Sequence, residues 1–142
     1  MNRIMRDEEL VVFGDGEQRR AFTYVKDVIP AIANAVSNRV ACGEVFNVGA
    51  SRDYSVNELA AKVAAAMKAP LRLRHVERRN EVALAYSDHS KLGRFFAQQP
   101  ETSLEQGLAL MAGWAKQTTP RKSADFENIE IAKGLPSIWK TG

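Results

Sequence analysis

Val12-Phe13-Gly14-Asp15-Gly16-Glu17-Gln18-Arg19-Arg20-Ala21-Phe22-Thr23-Tyr24-Val25-Lys26-Asp27-Val28 decides the reading of this chain. It opens on the end of an apolar run, Leu10-Val11-Val12-Phe13, which predicts a strand stopped by Gly14. Gly14-Asp15-Gly16 predicts a tight turn, because glycine accepts positive φ without steric penalty. Phe22-Thr23-Tyr24-Val25 is aromatic and β-branched, which predicts a second short extended piece. Asp27 then predicts the N-cap of a helix from Val28 to about Val36, with Pro30 in its first turn, where a missing N–H is tolerated. Val28, Ile29, Ile32, Ala33 and Val36 fall on one face of that helix.

Further along, Ala41-Cys42-Gly43 turns the chain into a predicted strand, Glu44–Val48, ended by Gly49. Ser55-Val56-Asn57-Glu58 has the spacing of a capping box and predicts a helix to about Lys68, its buried stripe Leu59, Ala60, Val63, Ala64 and Met67. Pro70 stops it. Residues 71–76 alternate imperfectly and predict a half-exposed strand, and 77–87 predict a loop. Asp88 is placed as the cap of a short helix carrying Leu92, Phe95 and Phe96. After Pro100, Thr102 with Glu105, or Ser103 with Gln106, caps a last helix reaching about Gln117, with Leu104, Leu108, Met111 and Ala115 on one face. The order is a small mixed α/β domain of short strands and about four helices, over 1–119. A polar extension, 120–142, carries scattered apolar residues such as Phe126, Ile131 and Trp139. The strands are too few and too short for an independent doubly wound sheet.

Composition bounds the function. The 142 residues are 45% hydrophobic and 26% charged, ordinary for a globular domain with one core. A net charge of +3 suits an anionic ligand but is too small to argue for nucleic acid, and no Lys/Arg run exceeds a pair. No apolar run is long enough to span a membrane and no signal peptide is visible. Cys42 is the single cysteine, so no internal disulfide forms, and a cytoplasmic setting is expected.

Candidate chemistry is sparse. Gly14-Asp15-Gly16 is not a G-x-G-x-x-G phosphate loop, since the third glycine is absent. His75 and His89 have no metal-ligand spacing around them and read as structural; Cys42 has no visible partner. Arg19-Arg20 and Arg78-Arg79 read first as solvated surface. Guanidinium forks bind phosphate bidentately, so the two pairs would clamp a diphosphate if they converged.

These segments resemble, in order and spacing, the C-terminal half of the extended short-chain dehydrogenase/reductase family, the nucleotide-sugar epimerases and dehydratases. The opening stretch resembles its GDG-x-Q-x-R-D-F-x-Y-V-x-D-V signature. Gly43–Gly49 resembles its GE-x-Y/F-N-V/I-G strand, and Tyr54–Ala60 its S-x-N-E-L-A helix start. Arg78–Val82 followed by Tyr86–Leu92 resembles R-P-G-D/E-V and Y-A-D-x-S-K-A. Pro100–Leu108 resembles P-x-T-S-L-E-E-G-L. Ala21 stands where the family has Asp, Arg79-Asn80 where it has Pro-Gly, and Ala97-Gln98 where it has Gly-Trp.

The resemblance implies that Arg20 and Arg78 contact a nucleotide diphosphate and that Glu81 belongs to the same substrate site. It implies NAD(P) in full-length relatives. The residues here show neither the family's dinucleotide loop nor its Tyr-x-x-x-Lys pair: the residues four after Tyr24, Tyr54 and Tyr86 are Val28, Glu58 and Ser90. No catalytic residue, no metal and no cofactor bound by this chain alone are therefore expected. The expectation is the C-terminal portion of an extended short-chain dehydrogenase/reductase without its Rossmann half: a cloned fragment, a truncated gene or a stand-alone product. It would bind a nucleotide sugar or nucleoside diphosphate weakly. It would pair with a second copy or with the missing half through an exposed Val45/Phe46 edge. The alternative is a non-catalytic binding or interaction module that reuses this fold portion.

Overall fold

The structure is a computed structural model that describes residues 1–97 and 101–122. Within them a short helix α1 (Asn2–Met5) leads into strand β1 (Leu10–Phe13), which the Leu10–Phe13 run predicts. β1 pairs in parallel with β4 (Leu73–Val76), in the register Leu10↔Leu73 to Phe13↔Val76. The half-exposed strand expected over 71–76 is thus present over Leu73–Val76. A second sheet has β2 (Arg19–Ala21) at its centre, antiparallel to β3 (Asp53–Ser55) and parallel to the two-residue β5 (Leu84–Ala85). Neither β3 nor β5 is legible from residue pattern; each is a short edge recruited by β2.

Both capping boxes form. Ser55 Oγ accepts from the Glu58 N–H at 3.1 Å while the Glu58 carboxylate accepts from the Ser55 N–H at 2.7 Å, and α3 runs Val56–Met67. Ser103 and Gln106 make the same pair, so the second of the two possible caps starts α5 (Leu104–Ala115). Thr102 is used elsewhere: its N–H and hydroxyl both donate to the Asp27 carboxylate at 2.8 Å. α3 and α5 pack together. Ala60, Ala64 and Met67 meet Leu108, Ala112 and Ala115 in the core, while Leu59 and Val63 stay half-buried. The Tyr24 ring packs beside Gly107 of α5, where a Cβ would sit in ordinary van der Waals contact with it, 3.6 Å from Cδ2.

Several expectations are corrected. The helix α2 begins at Val25, not Val28, with Tyr24 at its N-cap, and it runs to Ala35. Asp27 lies inside its first turn, because its carboxylate bonds Thr102 across the fold instead of capping its own helix. Pro30 sits in the helix interior and α2 buries no residue; Ile29, Ile32 and Val36 are exposed. The extended piece expected over Phe22–Val25 lies three residues earlier, as β2.

The strand expected over Glu44–Val48 has no ladder. A strand exists only against a partner, and none of the described residues pairs with it. Val45 is exposed there, but Phe46 is not left in water. Its ring meets Phe95 edge-on at 5.0 Å and Phe96 at 5.3 Å, with Lys91 Nζ 4.9 Å over it. Finally, α4 is a single turn, Leu92–Phe95, and Asp88 does not cap it. The Asp88 carboxylate accepts from the Ser90 N–H at 2.8 Å in a local turn ahead of the helix. Pro100, Gln98 and the extension from residue 123, with Phe126, Ile131 and Trp139, lie outside the described residues.

Candidate anion-binding site

The Gly14–Gln18 turn is where backbone and side-chain constraints converge. Gly14 and Gly16 both take left-handed φ, 68° and 78°. α3 braces the turn from below: the Asn57 N–H donates to the Gly16 carbonyl at 3.1 Å, and its side-chain amide donates to the Asp15 carbonyl at 2.9 Å and to Glu17 at 2.7 Å. The capping box at Ser55 therefore fixes the turn as well as the helix. The other wall is β1–β4. Gly14 N donates to the Val76 carbonyl at 3.0 Å, and His75 Nδ1 lies 2.8 Å from the Gly14 carbonyl, which gives that histidine a structural role.

Side chains two apart on a strand share a face and neighbours oppose. Arg19 and Arg20, adjacent on β2, therefore part company. Arg19 joins Asp53 and Glu58 in an ion-pair cluster. The hydrogen bond from Arg19 pulls the Asp53 pKa below its ordinary value, and the backbone N–H of Ser55 does the same for Glu58. Arg20 turns toward the loop after β4 and reaches the Glu81 carboxylate at 3.2 Å. It also donates to the carbonyls of Arg19 at 2.7 Å and Val82 at 2.8 Å, so it ties down residues 81–83.

Glu81 is the hub. Its two oxygens accept from Gln18 Nε2 at 3.2 Å, from Arg20, and from Arg79 through Nε and Nη2, both at 3.3 Å. Arg79 also lies over the Phe13 ring, its Cζ 4.7 Å from the centroid. Arg78 takes the opposite side. Its side chain crosses the Gly14 turn, where a Cβ on Gly14 would lie 3.3 Å from Arg78 Cγ, and it makes no hydrogen bond or ion pair with the described residues. Arg78 and Glu81 line a small cleft of about 110 Å³ with Phe13, Gly14 and Gln18. Asp15 and Glu17 also line it and bring negative charge; Asp15 accepts from the Glu17 N–H within the turn and Glu17 from Asn57 of α3.

Of the sequence-derived set, Arg20 and Glu81 are in direct contact, and Arg78 shares a cleft with Glu81. Gln18 sits in the same signature as Arg20. Arg79 is legible as half of the Arg78-Arg79 pair, but the resemblance has proline at its position and gives it no place in the site. A second feature lies apart: an apolar groove of about 1060 Å³ between α1, α3 and α5, lined by Met5, Phe22, Leu59, Met111 and Trp114. It carries few polar groups and no cation cluster, so it is unsuited to a diphosphate. Among the described residues no group of His, Cys, Asp and Glu is placed to hold a metal, and no helix is long and apolar enough to cross a membrane.

Residues 1–49 match the model of the NAD dependent epimerase/dehydratase family. The chain is 29% identical over 120 residues to a UDP-N-acetyl-alpha-D-glucosaminuronate decarboxylase of Bacillus cytotoxicus, covering 80% of this chain and 37% of that protein. Its fold superposes on UDP-glucuronic acid 4-epimerase from Bacillus cereus, solved with UDP-glucuronic acid and NAD, with a TM-score of 0.74 at 26% identity, over 82% of this chain and 38% of that one. It superposes on UDP-glucose 4-epimerase from Thermotoga maritima, solved with UDP-glucose, with a TM-score of 0.70 at 30% identity, over 82% and 37%. The chain thus spans little more than a third of the length of these relatives. By the signature matched over residues 1–49, the shared fold and the run of nucleotide-sugar enzymes among its relatives, the chain is similar to one part of the proteins of the NAD dependent epimerase/dehydratase family.

Proposed function

We propose that residues 1–119 are the nucleotide-sugar-binding part of an NAD-dependent sugar-nucleotide epimerase or dehydratase, and that these 142 residues carry out no chemistry by themselves. The observation that carries the reading is that Arg20 pairs with Glu81 while Glu81 and Arg78 line one cleft beside the Gly14–Gln18 turn. Hydride transfer belongs to the nicotinamide cofactor, and the protein's part is to hold sugar and cofactor together. The residues here supply the sugar-nucleotide side of that task.

In this reading the diphosphate lies over the turn. Arg78 offers a guanidinium fork with no partner among the described residues, and Arg20 adds charge while holding the 81–83 loop. Glu81 keeps the guanidiniums aimed. A charge-assisted hydrogen bond is worth roughly 1.5–3 kcal/mol, so a shallow cleft with two such contacts gives weak, millimolar-scale affinity. Full binding and turnover need the cofactor-binding portion that the relatives carry. The exposed side of α2 and the unpaired 44–48 segment are the surface that such a portion, or a second copy, would cover.

Titration calorimetry with UDP and UDP-sugars, on the parent chain and on Arg20→Ala, tests the site. Heat of binding that the substitution removes is the expected result. Equal binding by both proteins, or none by either, refutes the assignment. Incubation of the chain with NAD and a panel of nucleotide sugars tests the rest; turnover above background would overturn the claim that it is inactive alone.

A further inference from the structure

The apolar groove between α1, α3 and α5 measures about 1060 Å³, far more than a packing defect, and none of the described residues fills it. Leu59 and Phe22 line it half-buried, while Met111 stands 50% and Trp114 67% exposed on its α5 wall. Contiguous apolar surface of this kind marks a binding face. The polar side chains around it are already engaged: Thr102 with Asp27, Ser103 with Gln106, and Thr118 with the Ala115 carbonyl. A small polar ligand needs convergent free polar groups to orient it, so the groove fits an apolar occupant better.

The chain itself runs along the rim, where Thr118, Thr119 and Arg121 line the groove. Arg121 is clamped there through its backbone. Its N–H donates to Asn2 Oδ1 at 3.0 Å, and its carbonyl accepts from Asn2 Nδ2 at 2.6 Å and from Arg6 Nη1 at 3.3 Å. Asn2 therefore fixes the point from which the chain continues. Residues 123–142 lie outside the described residues, and their sequence brings Phe126, Ile129, Ile131, Leu135, Ile138 and Trp139. Reach is ample: α3 and α5 are twelve residues each, about 18 Å long, and five extended residues already cover about 17 Å.

We propose that this groove is the docking site of the chain's own residues 123–142, with Trp139 as the main anchor. A segment tethered at the mouth meets the groove at roughly millimolar effective concentration, well above that of a free partner or a second copy in micromolar solution. Trp139 is the largest apolar side chain the segment carries, and an aromatic of that class buries about 150–250 Å². The groove is then closed within one chain, while the exposed side of α2 and the 44–48 segment stay open to another.

The chain has two tryptophans, so Trp114→Phe leaves Trp139 as the only one and keeps the groove wall apolar. Fluorescence of that full-length variant is the test. The expected emission is blue-shifted from that of a free tryptophan derivative, with acrylamide quenching about threefold weaker, and both hold on dilution through the micromolar range. Adding Leu59→Lys or Met111→Glu puts a charge in the groove and should return emission and quenching to the free values. Adding Val45→Lys, on the other exposed face, should change neither. Circular dichroism checks that each variant folds. Should Leu59→Lys fail to fold, Met111→Glu decides, since that position is half exposed. Solvent-like emission in the Trp114→Phe chain overturns the proposal. So does a shielded Trp139 that responds to Val45→Lys and not to the groove charges, which would place its cover elsewhere. Shielding that is lost on dilution together with a dimer mass overturns it too, in favour of a second copy.

Discussion

Gly16 and Asn57 touch so closely that no side chain fits between them: a Cβ on Gly16 would lie 2.1 Å from Asn57 Oδ1. That one contact joins the turn under the candidate site to the first turn of α3, whose own start is fixed by Ser55.

Gly16→Ala is therefore expected to destabilise the fold by about 2 kcal/mol or more, from left-handed φ and from the clash together. Chemical denaturation measures it. An unchanged midpoint would mean that the turn has room to move away from α3.

Ser55→Ala removes one half of a capping box and is expected to cost about 1 kcal/mol of stability. Because the same helix start braces Gly16, UDP affinity should fall in parallel with stability. Ser103→Ala, at the equivalent position of α5, should lose similar stability with no change in UDP affinity. Equal effects of the two on binding would break the link between α3 and the turn.

Acid should loosen the β2–β3–α3 corner first. Arg19 depresses the Asp53 pKa, the Ser55 N–H depresses Glu58, and Lys62 depresses Glu105. A carboxylate with a lowered folded-state pKa stabilises the fold in full above its unfolded value and loses that contribution as pH falls through the folded value. The unfolding midpoint should thus hold down to about pH 4.5 and drop below it. Arg19→Met should flatten the drop, since Asp53 then titrates near its ordinary value. An acid limb identical to the parent's would show that Arg19 does not stabilise the ionised form.

Self-association is expected through the α2 side of the molecule. Val36 is 93% exposed and Val45 81%, with Ile29 and Ile32 on the same helix as Val36. Contiguous apolar surface and unpaired extended backbone both recruit other chains, and about 800 Å² per partner makes an ordinary stable contact. Light scattering should give a dimer mass at micromolar concentration, shifted to monomer by Ile32→Lys with Val45→Lys. A monomer mass for the parent at every concentration sinks the idea.

What could be read from the sequence was what is local. The two capping boxes are fixed by residues three apart, and the glycine turn by backbone freedom, so pattern alone found them. The strand over Glu44–Val48 was misread because its apolar content promises a ladder that the described residues do not supply. Asp27 was misread because a good capping side chain found a better partner 75 residues away in Thr102. At the site, Arg20, Arg78 and Glu81 came from motif resemblance. The hub at Glu81, with Gln18 and Arg79 upon it, required knowing that β5 lays residues 81–85 along β2.

The parallel pairing of β1 with β4 matters for how the protein is made. Leu10 meets Leu73, so β1, once made, has no partner until more than sixty further residues have been synthesised. β2 waits as long for β5, whereas β3 and α3 can dock on each other at once. Synthesis therefore offers β3 and the capped helix α3 before either parallel pair can close, and the Gly14–Gln18 turn takes its final shape only when residues 73–85 arrive. Long-range parallel pairing of this kind is slow to form and leaves early strands open to wrong neighbours. Substitutions that weaken β4 should for that reason lower soluble yield more than they lower the stability of the molecules that do fold.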